Sequence, residues 1–415
     1  MRAPHQDGRG TYMTVSESLR VLVFSEQYPP DRGGVAISAR RITSGLRAAG
    51  VDVAVVCYDS EAAPTDLPHV RSLAQSDGLC VHRVGPYFKE HAGQTGEDEK
   101  ASMRRNAFHL ITRLAERFRP SLIHSIYLLD AGFLASLVAR HLGVPHLTSV
   151  RGTDLSRGLF HAGRFALLRH TVESADGITF VNEYLSQLAR AAFRMPRFAR
   201  VVPNGVSVDA IRNDRDTARS AIRTAYAVPH GQPLIGFVGW ARAKKGVEDL
   251  LDAVAAAKHT APYLLILGDF PEEGDRTAFS GRARRLGLSD RFAVTGPLEH
   301  DRVHELLPGL DAVVIPSWDD GMPNALLEAM ERGVPVFGSD ILADVLDNGR
   351  DGFVFERHNV AQLAELLDIF LAQPEVLSAV GRAARQTAVE RFDHRYERDA
   401  YLSLYQSLLQ TGSAS

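Results

Sequence analysis

Short apolar runs alternate with segments of helical periodicity along nearly the whole chain, and the pattern runs through twice. In the first half the runs are Leu19–Phe24, Asp52–Cys57, Leu122–Ile126, His146–Val150, Gly177–Val181 and Arg200–Val202. In the second they are Leu234–Val238, Tyr263–Leu267, Phe292–Thr295, Ala312–Ile315, Val334–Phe337 and Gly352–Phe355. Strands that are apolar on both faces need helices on both sides, and parallel neighbours need crossovers, which the intervening segments supply. The expected fold is α/β, with two Rossmann-like domains facing each other across a cleft. The length of 415 residues is too great for one ordinary core and suits two. The spacing divides the chain into a flexible tail (1–18), an N-terminal domain (19–205) and a C-terminal domain (206–386). Residues 387–415 read as closing helices carrying Phe392, Tyr396, Tyr401 and Tyr405. The domain break falls at the PNGVSVD stretch after the last N-terminal strand.

Open parallel sheets bind ligands at the carboxyl ends of their strands, so the loops there are the candidates. The densest is DAVVIPSWDDGMPNALLEAMERGVPVFGSD, residues 311–340. A buried strand closes at Pro316, a polar loop follows, Pro323 opens a helix where its missing N–H costs nothing, and Gly333 ends it. The free N–H groups at that helix start favour a polar, anionic ligand. Helical side chains lean toward the N-terminus, so Glu328 reaches the mouth of such a site, where a carboxylate accepts two hydrogen bonds from a vicinal diol such as a ribose. Asp320 on the loop is placed for hydroxyls of a second ring. After the first strand, Gly33 and Gly34 let backbone N–H groups approach a diphosphate. After the first C-terminal strand, Arg242 and Lys245 offer a bidentate and a point-charge contact to phosphate. Neither loop has dinucleotide-fingerprint spacing, which disfavours NAD.

Composition narrows the classes. The chain is 45% hydrophobic with no run of about 18 uninterrupted apolar residues, so a spanning helix is not expected. The N-terminus has no apolar core of a signal peptide. The two cysteines, Cys57 and Cys80, make neither a disulfide framework nor a zinc site, and a cytoplasmic location is expected. Residues 19–205 hold 23 Lys/Arg against 17 Asp/Glu, a net of +6, whereas 206–415 carry −9. The Arg-rich helical stretch from Arg104 to Arg119, with Phe108, Leu110, Ile111 and Leu114, raises peripheral contact with the inner face of a membrane as one reading and a solvated face as the other. No nucleic-acid pattern is present. The one Asp-x-Asp triplet, Asp214-Arg215-Asp216, sits in the linker region and reads as a surface feature rather than a metal site.

Residues 311–340 resemble the signature of the large retaining GT-B-fold glycosyltransferase family (group 1) that includes sucrose synthase and bacterial mannosyl- and glucosyltransferases. That signature has a Glu-Gly-Phe/Met-Pro/Gly loop and a second Glu eight positions later. Gly321, Met322, Pro323, Asn324 and Glu328 match, and Asp320 replaces the first Glu. Lys245-Gly246 is in register, although Trp240 stands where relatives have Arg and Arg242 follows two residues later. Arg151 of SVRGTD occupies the position where relatives have His, which leaves it for phosphate or an acidic acceptor, and Asp154 is either an acceptor-hydroxyl ligand or a helix cap. His124 reads as structural. The resemblance implies that backbone around Pro297 and Leu298 holds the base. It also implies metal-free, retaining transfer from a nucleotide-diphosphate sugar, itself the substrate with no separate cofactor, to a small-molecule, glycan or lipid-linked acceptor. Arg242, Lys245, Asp320 and Asp154 are the implied catalytic residues. The rivals are a GT-B-fold sugar-nucleotide epimerase and a degenerate sugar-nucleotide-binding scaffold.

Overall fold

The computed structural model describes residues 19–63, 65–87, 96–208 and 215–412. The expected tail, the middle of the linker and Asp214 lie outside the described residues. Two sheets carry the chain. The first comprises β1 (Arg20–Ser25), β2 (Asp52–Tyr58), β3 (His69–Ala74), β4 (Cys80–Gly85), β5 (Leu122–Ile126), β6 (His146–Val150), β7 (Gly177–Phe180) and β8 (Phe198–Val201), in the order β3-β4-β2-β1-β5-β6-β7-β8. The second comprises β9 (Leu234–Val238), β10 (Tyr263–Leu267), β11 (Phe292–Val294), β12 (Ala312–Ile315), β13 (Val336–Ser339) and β14 (Phe353–Phe355), in the order β11-β10-β9-β12-β13-β14. Every pairing is parallel except β3 with β4.

β5, β6, β7, β10, β12 and β13 are buried along their whole length, as the inner strands of a parallel sheet covered on both faces must be. β3 and β4 were not foreseen. β3 is a half-exposed antiparallel edge, HVRSLA, with too little apolar content to read as a buried strand. Strand order reverses between β1 and β5 and again between β9 and β12, so each sheet has a switch-point crevice at its carboxyl edge.

Two expectations are corrected here. The helix Pro374–Arg391 runs through the proposed boundary at 386, and the chain changes domain at Phe392–Asp393, where Val206 bridges to Asp393. The final helix, His394–Gly412, then lies on the first domain, burying Tyr401 and Tyr405 completely beside β1, β2 and β5 residues. Second, the helix Glu97–Phe118 uses its apolar side inward. Met103, Ala107 and Ile111 are buried, and Phe108, Leu110 and Leu114 pack against the same core. The membrane reading therefore loses the apolar face that motivated it. Among the described residues no helix is long and apolar enough to cross a membrane.

Candidate active site

The loops at the two crevices meet. β9 leads into residues 239–246 and β12 into 316–323, and Gly246 joins them. Its φ is +68° and a Cβ there would sit 2.0 Å from the carbonyl oxygen of Pro316, so only glycine lets the two loops touch. The Trp318 N–H donates to the Lys244 carbonyl at 2.8 Å, and the indole N–H donates to Asp249 at 2.7 Å. This contact brings Lys245 Nζ onto Asp320 Oδ2, while Asp320 Oδ1 accepts from the Gly321 N–H at 3.0 Å. Burial alone would raise the Asp320 carboxyl, but Lys245 foremost, then Lys244, hold it below its ordinary value. Burial likewise pushes the Lys244 ammonium down. Arg242 is exposed at the rim, beside the helical turn Ala243–Lys245.

The first domain reaches this loop by backbone. Gly152 has φ +146°, and a Cβ on it would lie 2.8 Å from the Gly321 nitrogen; one on Gly321 would lie 2.1 Å from the Arg151 carbonyl oxygen. Side chains secure the approach: Ser156 and Arg157 each donate to Asp319 at 2.7 Å, and Asn182 donates to the Gly321 carbonyl at 2.9 Å. The Gly33–Gly34 turn opens the helix Gly34–Ala48 without a side-chain cap, and Asn324 Nδ2 donates to the Gly34 carbonyl at 3.3 Å. The glycine pair of one domain thus faces the uncapped helix Asn324–Glu331 of the other.

Glu328, 6% exposed, sits on that helix. Its Oε1 lies 2.9 Å from His300 Nε2 and 3.8 Å from His304 Nε2. Burial would raise Glu328, yet the His300 hydrogen bond foremost, then the nearby His304 imidazole, bring it to about 2, and the Glu328 contact in turn raises His300. The two histidines were not foreseen. Their signal was in the sequence: His300 and His304 are four apart on the helix His300–Leu306, hence on one face. Pro297 is exposed and Leu298 half-buried in the loop that leads into them.

Four expected site residues serve other contacts. Asp154 is fully buried and accepts from the N–H groups of Gly152 (2.7 Å), Leu128 (3.1 Å) and Arg151 (3.2 Å); it organises the 151–156 loop. Met322 is 5% exposed and belongs to the core cluster that spans both domains. Asn324 joins a buried polar junction. Arg41 donates to Glu397 (2.7 Å), Asn324 (2.9 Å) and Asn204 (3.1 Å), and Asn204 donates to the Met322 carbonyl at 2.7 Å. Arg151 donates to the same Asn204, and its Nη1 is buried with no partner among the described residues. The Arg151 side chain therefore belongs to the Asn204 junction, while its backbone carbonyl packs against Gly321. His124 is buried between Tyr405 (2.7 Å) and Ser149 (2.7 Å), a structural position.

The arrangement has cations, uncapped helix starts and a buried carboxylate along one interdomain seam. The family described as "Glycosyl transferases group 1" matches residues 218–387, and the "Glycosyl transferase 4-like domain" matches residues 33–205. The chain is a group 1 glycosyltransferase. Among its relatives, a glycogen synthase of Mycobacterium tuberculosis is 28% identical over 93% of this chain and 94% of its own. A 2-deoxystreptamine glucosyltransferase of Streptomyces kanamyceticus is 28% identical over 66% of this chain and 73% of its own. The fold matches sucrose-phosphate synthase from Thermosynechococcus elongatus (TM-score 0.79, 19% identity, 95% of this chain and 100% of that one). It also matches Anabaena Alr3699/HepE in complex with UDP-glucose (TM-score 0.77, 17% identity, 94% and 100%). These likenesses support the GT-B transferase architecture and do not favour the epimerase or scaffold readings.

Proposed function

We propose that this enzyme moves a hexose from a nucleoside-diphosphate donor to an acceptor hydroxyl with retention of anomeric configuration, and that the diphosphate is neutralised by side-chain cations rather than a metal. The observation that carries the reading is the alignment of Lys245–Asp320 and Glu328 on one lip of the seam with the Gly33–Gly34 helix start on the other. Neighbouring folds are described in complex with UDP-glucose and with ADP and acarbose, and one relative is named a GDP-mannose-dependent alpha-mannosyltransferase.

In this reading Glu328 accepts from the ribose hydroxyls, displacing His300, and backbone near Pro297 and Leu298 borders the base. The diphosphate takes Lys245 from Asp320, which frees Asp320 to accept from a sugar hydroxyl. Arg242 and the N–H groups at Gly33–Gly34 add positive potential where leaving-group charge develops. The acceptor oxygen attacks the anomeric carbon on the face from which the diphosphate departs. The bond from that carbon to the phosphate oxygen breaks as the new bond forms, and the acceptor proton passes to the departing phosphate oxygen. The buried seam excludes water that would otherwise intercept the sugar. Asp154 and Arg151 act in positioning the first-domain loop.

Proton NMR of the product made from an α-linked nucleotide sugar tests this. An α-configured product formed equally well in excess chelator is expected. A β-configured product overturns retention, and loss of turnover on chelation overturns metal independence.

A further inference from the structure

The mechanism above leaves His300 and His304 without a role. Their Nε2 atoms point at each other at 3.3 Å, and each also faces Glu328 Oε1, at 2.9 and 3.8 Å. All three ligand atoms lie within 4.8 Å of one another. In a tetrahedral zinc site with bonds of about 2.05 Å, neighbouring ligand atoms stand about 3.3 Å apart. The three separations bracket that value. Two imidazoles and one carboxylate also form the donor set of an open zinc site, with the fourth position left for water. The His300 side chain is 40% exposed and gives access from solvent, while the Glu328 side chain is 8% exposed and lies beneath it. Binding through His304 Nε2 places the proton on Nδ1, so Arg332 must release its 3.4 Å contact there; Glu331, 3.0 Å from the Arg332 Nε, is ready to receive it.

We propose that His300, His304 and Glu328 bind one zinc-class divalent cation, and that the bound cation shuts the donor site by taking the carboxylate that the ribose needs. The second part rests on the proposed ribose role of Glu328. The cation would take Glu328, the carboxylate assigned to the ribose, whereas Lys245 pairs with Asp320, so it acts as an inhibitor and not as the diphosphate's counter-ion. By linkage, nucleotide and metal must weaken each other by the same factor.

The test titrates the full chain with Co²⁺, a zinc surrogate whose tetrahedral form absorbs visibly, in wild type and in His304→Ala and His300→Ala. One equivalent should bind to wild type with a tetrahedral spectrum, and each variant should lose about tenfold or more in affinity. Equal affinity and spectrum in both variants, or no binding to wild type, overturns the site. Nucleoside-diphosphate binding is then measured with and without Zn²⁺. Zinc should weaken it about tenfold or more in wild type and leave His304→Ala unaffected once both are compared at equal free metal. Wild type that binds Co²⁺ but holds the nucleotide equally well with zinc present keeps the metal site and overturns the exclusion of ribose. A chain that binds Co²⁺ but no nucleoside diphosphate at all also overturns that exclusion, and with it the proposed function, while the Co²⁺ spectrum still decides the metal site.

Discussion

Lys245 and Asp320 form a half-buried ion pair, which the proposed reaction exchanges for another when the diphosphate arrives. An ammonium paired to a carboxylate gives up little on moving to a diphosphate, because the new contacts are also charge-assisted. Removing it is a different matter. Lys245→Ala should weaken nucleoside-diphosphate binding about ten- to a hundredfold, the worth of one charge-assisted hydrogen bond of about 1.5–3 kcal/mol, measured by calorimetry. Binding unchanged in that variant would remove Lys245 from the site. Asp320 is one methylene shorter than the glutamate of the family signature, and the Lys245 contact shows what the shorter arm reaches: the cation, across the loop junction that Gly246 permits.

At the scale of elements the two domains are joined by a glycine-to-glycine approach and a buried polar junction. Gly321→Ala places a Cβ 2.1 Å from the Arg151 carbonyl oxygen, with backbone on both sides that has no side chain to yield. The variant should lose about 1–3 kcal/mol of stability in a denaturant titration and bind donor more weakly; a fully stable, fully active variant would mean that the seam is looser than described. Arg41→Ala leaves Glu397, 3% exposed, as an uncompensated buried charge, and a loss of about 3–5 kcal/mol is expected by the same titration. Much of this architecture was legible. The strand, loop, helix and strand of 311–340 stand out because Pro316, Pro323 and Gly333 punctuate an apolar pattern, and β9 and β12 carry no polar side chain. The edge strand β3 was not, since an exposed polar strand has no periodic burial to read. Nor was the Arg41 junction, whose partners are 356 residues apart in sequence and meet only through the closing helix. Asp154 was placed at the right loop, but its chemistry depends on three N–H groups that tertiary structure gathers.

For the whole molecule, the closing helix and the first sheet bury titratable groups that make folding sensitive to acid. Burial pushes His124 and His146 each down to about 3. The unfolded chain takes up protons at these positions below about pH 6.5 and the native state does not, so stability is complete above that pH and falls as pH drops toward 3. At pH 5 each histidine should cost roughly 2 kcal/mol. His124→Gln, which retains a hydrogen-bonding side chain between Tyr405 and Ser149, should flatten the fall in thermal midpoint between about pH 6.5 and 4; an unchanged slope would assign the acid sensitivity elsewhere. The same assembly positions the candidate site: Glu397 of the final helix accepts from the Gly205 N–H, and Asn204 donates to the Met322 carbonyl of the signature loop. In the proposed reading this seam binds a nucleoside diphosphate through Lys245 and Glu328. It is tested most directly by measuring the thermal midpoint with UDP, GDP, ADP and TDP, for wild type, Lys245→Ala and Glu328→Ala. One nucleotide should raise the wild-type midpoint and both variants should lose most of that rise; no rise with any of the four, or an equal rise in both variants, would contradict the account.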